Sequence, residues 1–254
     1  MRSLPQIMVA PNGARLTKAD HPNVPITHDE IVECASACFE AGADGIHAHI
    51  RDENGKHLLD ADVYRRLVGA LKHAVPDMAV QITTEAVGIY DAATQMKVAL
   101  GSGAEMISAS VREISRAGHL AAADFYGECN ARGMSVQHIL YDTADCELLF
   151  QTLASDDLTD PRLQVIFALG RYSSTGTSGP EELKPFLDWL TLRQINCDWA
   201  VCAFGQLEVQ CLMKTVNSGG KCRVGFENSC FLSDGSIARG NPEKVTDLVE
   251  QLRP

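Results

Sequence analysis

Short apolar runs alternate with amphipathic helical stretches along the whole chain, and that alternation limits the fold more than any other feature. The apolar runs fall near residues 5–10, 44–50, 78–83, 104–109, 134–140, 163–169, 198–203 and 221–225. Helical periodicity fills the intervals, at about 28–41, 61–74, 91–100, 120–132, 143–154, 180–194, 206–218 and 241–252. Several helices carry their own signals: Thr27 precedes His28-Asp29-Glu30, Pro180 follows Gly179, and Gly42 and Gly101 stand where helices should stop. Strand–helix alternation builds a parallel sheet with helices packed on its outside. Eight such units in 254 residues predict an α/β fold, a closed (β/α)8 TIM barrel filling residues 1–254 as a single domain, because about 250 residues is the usual size of that fold. No G-x-G-x-x-G opens a helix after the first strand and no P-loop occurs, which disfavours an open nucleotide-binding sheet.

Charge narrows the partners. With 33 acidic against 22 basic side chains the formal net charge is −11, a field that repels nucleic-acid backbones and anionic membrane surfaces. The longest apolar stretches, such as Leu163 to Leu169, are only strand-sized, and Met1 to Pro5 contains no signal-peptide core. We therefore expect a cytoplasmic protein acting on a small molecule, with no nucleic-acid or membrane partner. The nine cysteines are scattered and form no C-x-x-C pair, so they read as reduced core residues.

In a barrel of this kind the chemistry lies at the carboxyl ends of the strands. The second strand reads Asp44-Gly45-Ile46-His47-Ala48-His49-Ile50-Arg51-Asp52. Strand side chains alternate with a period of two, so His47 and His49 share one face. Two imidazoles there can ligate one divalent metal, and burying both without a partner would be costly. A third ligand should come from another strand end. Glu227, in Arg223-Val224-Gly225-Phe226-Glu227-Asn228, is either that ligand or a capping and salt-bridge residue near Arg223. A His-His-Glu set with an open position is the usual form of a catalytic zinc site. Zinc is the first choice by ligand type; manganese, iron and cobalt bind similar sets.

Other strand ends offer polar groups to the same mouth. Arg15 follows the turn Pro11-Asn12-Gly13-Ala14 and is either a surface ion-pair partner or a carboxylate clamp. The third strand ends in Thr83, Thr84 and Glu85, and the fourth carries Ser108; hydroxyls there either bind substrate or cap the next helix. The glycine-rich stretch Gly170 to Gly179 can present backbone N–H groups and Arg171 to a phosphate. The remaining histidines, His57 and His138 among them, have no spacing partner and read as structural or exposed.

Three segments together carry a family resemblance. They are Pro11-Asn12-Gly13-Ala14-Arg15, the stretch Ala41 to Asp52, and Trp199-Ala200-Val201-Cys202-Ala203-Phe204-Gly205 followed by Gly219 to Asn228. The chain resembles the β-keto acid cleavage enzymes over nearly its whole length. The resemblance implies a zinc-dependent barrel, a homo-oligomer (dimer or tetramer), that converts a β-keto acid and acetyl-CoA to acetoacetate and a new acyl-CoA. On that pattern His47, His49 and Glu227 match the zinc ligands, Arg223 the catalytic arginine, and Thr83 and Ser108 the hydroxyls that hold the keto acid. Two positions depart from it. Arg15 stands where the aminohexanoate-cleaving enzymes place a glutamate for the substrate ammonium, so a neutral or anionic tail is expected. Asn228 stands where the arginine's partner is often aspartate, and an amide cannot accept the proton as a carboxylate does. Glu85 is the sequence candidate to replace it.

The expectation is thus a zinc-dependent acyltransferase. Catalysis would involve Arg223, Glu85 and Asn228, and substrate binding Arg15, Thr83, Thr84 and Ser108. Two alternatives stand beside it: a zinc-dependent aldolase or hydrolase that does not use CoA, and a ligand-binding barrel that has lost catalysis.

Overall fold

A computed structural model describes residues 1–171 and 178–253. Eight parallel strands close into a barrel in chain order. They are β1 (Ile7–Val9), β2 (Gly45–Ala48), β3 (Ala79–Thr83), β4 (Met106–Ser110), β5 (Ser135–Leu140), β6 (Gln164–Leu169), β7 (Asp198–Ala203) and β8 (Lys221–Val224). Closure is made by β1, which pairs with β2 on one side and β8 on the other. Helices over His28–Glu40, Ala61–Ala74, Ala92–Gly101, His119–Ala131, Thr143–Thr152, Lys184–Arg193, Glu208–Asn217 and Asn241–Gln251 cover the outside. The fold expected from the sequence pattern is the fold observed.

Two layers of core follow from the period-two strands. Outward residues such as Val9, Ile46, Ile82, Ile107, Phe167 and Val201 pack with Ile31, Leu67 and Leu149 of the helices. A smaller apolar set, including Met106, Ile139, Ile166 and Ala200, is a separate cluster. Burial of the outer layer is the main stabilising term, at about 25 cal/mol per Å² of apolar surface.

The structure corrects the expected pattern at one informative place. The second strand does not run to Ile50; it stops at Ala48. Asn12, fully buried, donates from Nδ2 to the carbonyl of His49 (3.0 Å), and its Oδ1 accepts from the His49 N–H (3.4 Å). A side-chain amide thus replaces the strand ladder at His49. The chain then forms a small antiparallel hairpin, Ile50–Arg51 with His57–Leu58, too short to leave a periodic signal. One-turn helices at Val111–Ile114 and Ser155–Thr159 escape notice for the same reason. Among the described residues no helix is long and apolar enough to cross a membrane.

Candidate metal centre and active-site cavity

The polar ends of β2 and β8 meet at the carboxyl end of the barrel. There the ligand atoms of His47, His49 and Glu227 all lie within 4.8 Å of one another. His47 Nε2 is 3.1 Å from His49 Nε2 and 3.7 Å from Glu227 Oε2, and His49 Nε2 is 3.5 Å from Glu227 Oε1. Gly13, in the turn after β1, makes this approach feasible. Its φ is +55°, and a Cβ there would sit 2.7 Å from Glu227 Cγ.

The hydrogen bonds around His47 fix its tautomer. Gln81, its register partner on β3, donates from Nε2 to Gln137 Oε1 (3.1 Å), which leaves Gln81 Oε1 to accept from His47 Nδ1 at 2.8 Å. An amide oxygen only accepts, so Nδ1 carries the proton and Nε2 turns a lone pair toward the cluster. Burial, with Arg223 nearby, pushes the His47 pKa well below its usual value, so the ring is neutral at pH 7. Burial alone would raise the carboxyl of Glu227, but its polar surroundings, with the Arg223 guanidinium as the permanent cation, outweigh it and hold the group ionised, well below the ordinary carboxylate range. Glu227 Oε2 is buried without a hydrogen-bond partner. Two imidazole nitrogens and a carboxylate, drawn together in this way, fit a divalent metal of the zinc type.

A cavity opens beside the cluster, lined among the described residues by His47, Thr83, Glu85, Arg171, Cys202, Arg223 and Glu227, with Tyr141 and Phe204. Arg223 is buried, and its Nε and Nη1 donors have no partner among the described residues. Its Nη2 lies 3.5 Å from Cys202 Sγ and 4.0 Å from Glu227 Oε1. Cys202 is therefore part of the cavity and not merely core, a role that a lone cysteine in an apolar run does not announce.

The structure separates the remaining candidates. Thr83 lines the cavity, its Oγ1 accepting from the Glu85 N–H at 2.9 Å. Ser108 sits beside it in register, its hydroxyl buried and unpartnered. Thr84 does not join them: its hydroxyl donates to the Ser108 carbonyl at 2.9 Å, tying β3 to β4. Asn228 does not touch the guanidinium of Arg223. Its Nδ2 donates to the Arg223 backbone carbonyl (2.9 Å) and to Glu208 Oε1 (3.2 Å). Glu208 in turn forms a fully buried ion pair with Lys244, 2.6 Å apart, so the sequence position of an arginine partner is absorbed into the scaffold.

At the mouth, Glu85 Oε1 accepts from Arg15 Nη1 (3.0 Å) and Arg171 Nη2 (3.2 Å). Arg171 lies 5.0 Å over the Phe204 ring. Burial pushes the carboxyl of Glu85 upward despite these neighbours. The phosphate role read for Gly170 to Gly179 falls mainly on 172–177, outside the described residues.

A parallel barrel with a histidine–carboxylate cluster and a buried arginine at its carboxyl mouth defines the class: a TIM barrel whose polar groups converge where such folds do their chemistry. Within that class the chain belongs to the beta-keto acid cleavage enzyme family, which matches residues 6–254. It is 26% identical over 245 residues to the 3-keto-5-aminohexanoate cleavage enzyme of Acetoanaerobium sticklandii, covering 93% of this chain and 87% of that one. It is 24% identical over 250 residues to the 3-oxoadipate:acetyl-CoA acetyltransferase of Cupriavidus necator, covering 95% and 86%. Two relatives thus carry acetyl-CoA in their names, this acetyltransferase and the 3-dehydrocarnitine:acetyl-CoA trimethylamine transferase of Rhizobium meliloti. Among solved structures, ObcA in complex with a C4-CoA adduct and oxalate superposes with a TM-score of 0.68 at 15% identity. That match covers 91% of this chain but only 64% of ObcA, and it shows the fold alone.

Proposed function

We propose that the protein is a zinc-dependent acyltransferase that converts a β-keto acid and acetyl-CoA to acetoacetate and a new acyl-CoA. The observation that carries this reading is the convergence of His47, His49 and Glu227 beside the unpartnered donors of Arg223 in one cavity. His47, His49 and Glu227 would hold the zinc, which supplies a Lewis acid against the negative charge that develops during carbon–carbon cleavage. Arg223 offers two buried N–H donors for an oxyanion, at a site where burial strengthens each bond. Thr83 already accepts from a backbone N–H, so its own proton is free for a substrate oxygen, as is that of Ser108. Glu85 is the second cavity-lining carboxylate among the described residues. Its raised pKa suits it to accept a proton, the task Asn228 cannot perform.

The mouth sets the tail of the substrate. Two arginines share one glutamate there, leaving one net positive charge, and Arg15 keeps 54% of its side chain exposed to an incoming group. An anionic tail, as in a β-keto diacid, fits; an ammonium does not.

The test supplies zinc-loaded protein with acetyl-CoA and a panel of β-keto acids and follows acetoacetate. Turnover is expected, with β-ketoadipate preferred over 3-keto-5-aminohexanoate, and His47→Ala is expected to lower it roughly 10³-fold, a loss of several kcal/mol of charge stabilisation. No acetoacetate from any member of the panel overturns the reaction; preference for the amine overturns the tail.

A further inference from the structure

The hairpin after β2 returns a third imidazole to the cluster. Asp52 builds the turn: its N–H donates to the Lys56 carbonyl (2.8 Å), and its Oδ1 accepts from the N–H groups of Asn54 and Lys56. Gly55, at φ +74°, supplies the left-handed residue the reversal needs. Arg51 and His57 become register partners. The His57 ring is thereby placed 5.3 Å from that of His49, centroid to centroid, with the planes inclined at 51°.

Tautomers decide what these rings can exchange. His57 Nε2 lies 2.8 Å from the backbone carbonyl of Glu85. A carbonyl only accepts, so Nε2 carries the proton and Nδ1 is left as an acceptor. That Nδ1 is buried and has no partner among the described residues. On His49, Nε2 faces His47 and Glu227, and Nδ1 is likewise buried and unpartnered. If Nε2 is the metal-facing atom, a neutral ring places its proton on Nδ1 and makes that atom a donor. One buried ring thus has a donor to place and its neighbour an acceptor.

We propose that His57 is the positioning residue of the metal ligand His49, taking the His49 Nδ1 proton in a hydrogen bond, directly or through one shared water. The inference rests on the metal reading above and deepens it. The chain then runs from the metal through His49 and His57 to the backbone of Glu85, whose side chain holds Arg15 and Arg171. Metal-binding histidines depend on such outer partners for orientation and basicity, and loss of one weakens metal binding about 10–100-fold. Gln81 serves His47 in this way; His57 serves His49.

The test measures zinc affinity by chelator competition, with thermal melts of the metal-free proteins run in parallel. His57→Phe, which keeps the ring, is expected to weaken zinc binding about 10–100-fold. His57→Gln, whose amide can donate to Glu85 and accept from His49, is expected to restore most of the loss. Independently of any variant, imidazole ¹⁵N shifts of the zinc-loaded wild type should show the proton of His49 on Nδ1 and that of His57 on Nε2. Wild-type affinity in folded His57→Phe, or an unprotonated His49 Nδ1, overturns the role of His57 and leaves the metal site standing. Absence of zinc binding by the wild type removes both.

Discussion

The polar groups at the two ends of the barrel differ in whether the chain itself supplies their partners. At the amino end, Asp44 accepts from the N–H groups of Ile7 (2.7 Å) and Gln6 (2.9 Å). Asp198 accepts from the Leu4 N–H (2.8 Å) and pairs with Lys221 (2.7 Å), and Lys221 also reaches the Leu4 carbonyl (2.8 Å). These carboxylates use the chain itself as partner and stitch the first residues to the floor. At the carboxyl end, His49 Nδ1, Arg223 Nε and Nη1, Glu227 Oε2 and Ser108 Oγ have no partner among the described residues. Each such atom costs stability, and nothing in the chain's own packing recovers it. The amino-end carboxylates named here help hold the fold together, and the open groups named at the carboxyl end stand where such barrels meet a ligand.

The largest effect expected from this contrast lies at Arg223. Its guanidinium is desolvated with two donors unpartnered among the described residues, and it lies 4.0 Å from the Glu227 carboxylate, so its removal leaves that buried charge dependent on a bound metal. Arg223→Met should therefore lower kcat/KM about 10²–10³-fold, the range for one oxyanion donor, while the zinc-loaded variant, whose Glu227 keeps a cation beside it, stays folded at the assay temperature. Steady-state kinetics and a melting curve check both halves. A variant that melts early yet turns over normally would reverse the assignment of the two ends.

The complementary change is Asp198→Ala at the floor. It leaves the Leu4 N–H and Lys221 without their carboxylate, and the expected cost is about 1–3 kcal/mol in urea unfolding. Zinc affinity and kcat should stay at wild-type values. A loss of activity at temperatures where the variant remains folded would show that the two ends are coupled.

What could be read from sequence follows the same division. Strands and helices were legible because the outer core repeats with fixed periods, from Val9 and Ile46 to Phe167 and Val201. The pair His47 and His49 was legible because a period of two puts both on one face; Glu227, three residues past the end of β8, read from the residues alone as either a ligand or a cap, and only the family resemblance chose the ligand. What escaped depends on contacts distant in the chain. Asn12 ends β2 by capturing the backbone of His49 across 37 residues, Cys202 meets Arg223 from the neighbouring strand, and His57 returns on a hairpin only two residues wide. Asn228 misled in the other direction: the family resemblance makes its position the partner of the Arg223 guanidinium, whereas the tight turn after β8 points its amide at the backbone and Glu208. No periodicity marks such residues, since their partners are set by loop geometry.

The smallest expected effect lies on the outside of the barrel, in the first turn of the first helix. Glu30 closes the capping box of the first helix: its Oε2 accepts from the N–H groups of Ile26 (2.8 Å) and Thr27 (3.0 Å), and its Oε1 lies 2.7 Å from Lys18 Nζ. Desolvation pushes its pKa upward, but the Lys18 bond and the two backbone bonds prevail and lower it from 4.5 to about 2. A carboxyl whose folded pKa lies below its unfolded one adds stability in full above the unfolded value, and that stability fades as pH falls through the folded one. Glu30→Gln keeps an acceptor oxygen but removes the charge. Because the side chain is 34% exposed, screening holds the expected loss at pH 7 to under about 1 kcal/mol. Urea unfolding of both proteins at several pH values should show that gap narrowing from pH 4.5 downward and closing near 2, with zinc affinity at neutral pH unchanged. A gap that stayed constant with pH would assign the effect to the shape of the cap instead of its charge.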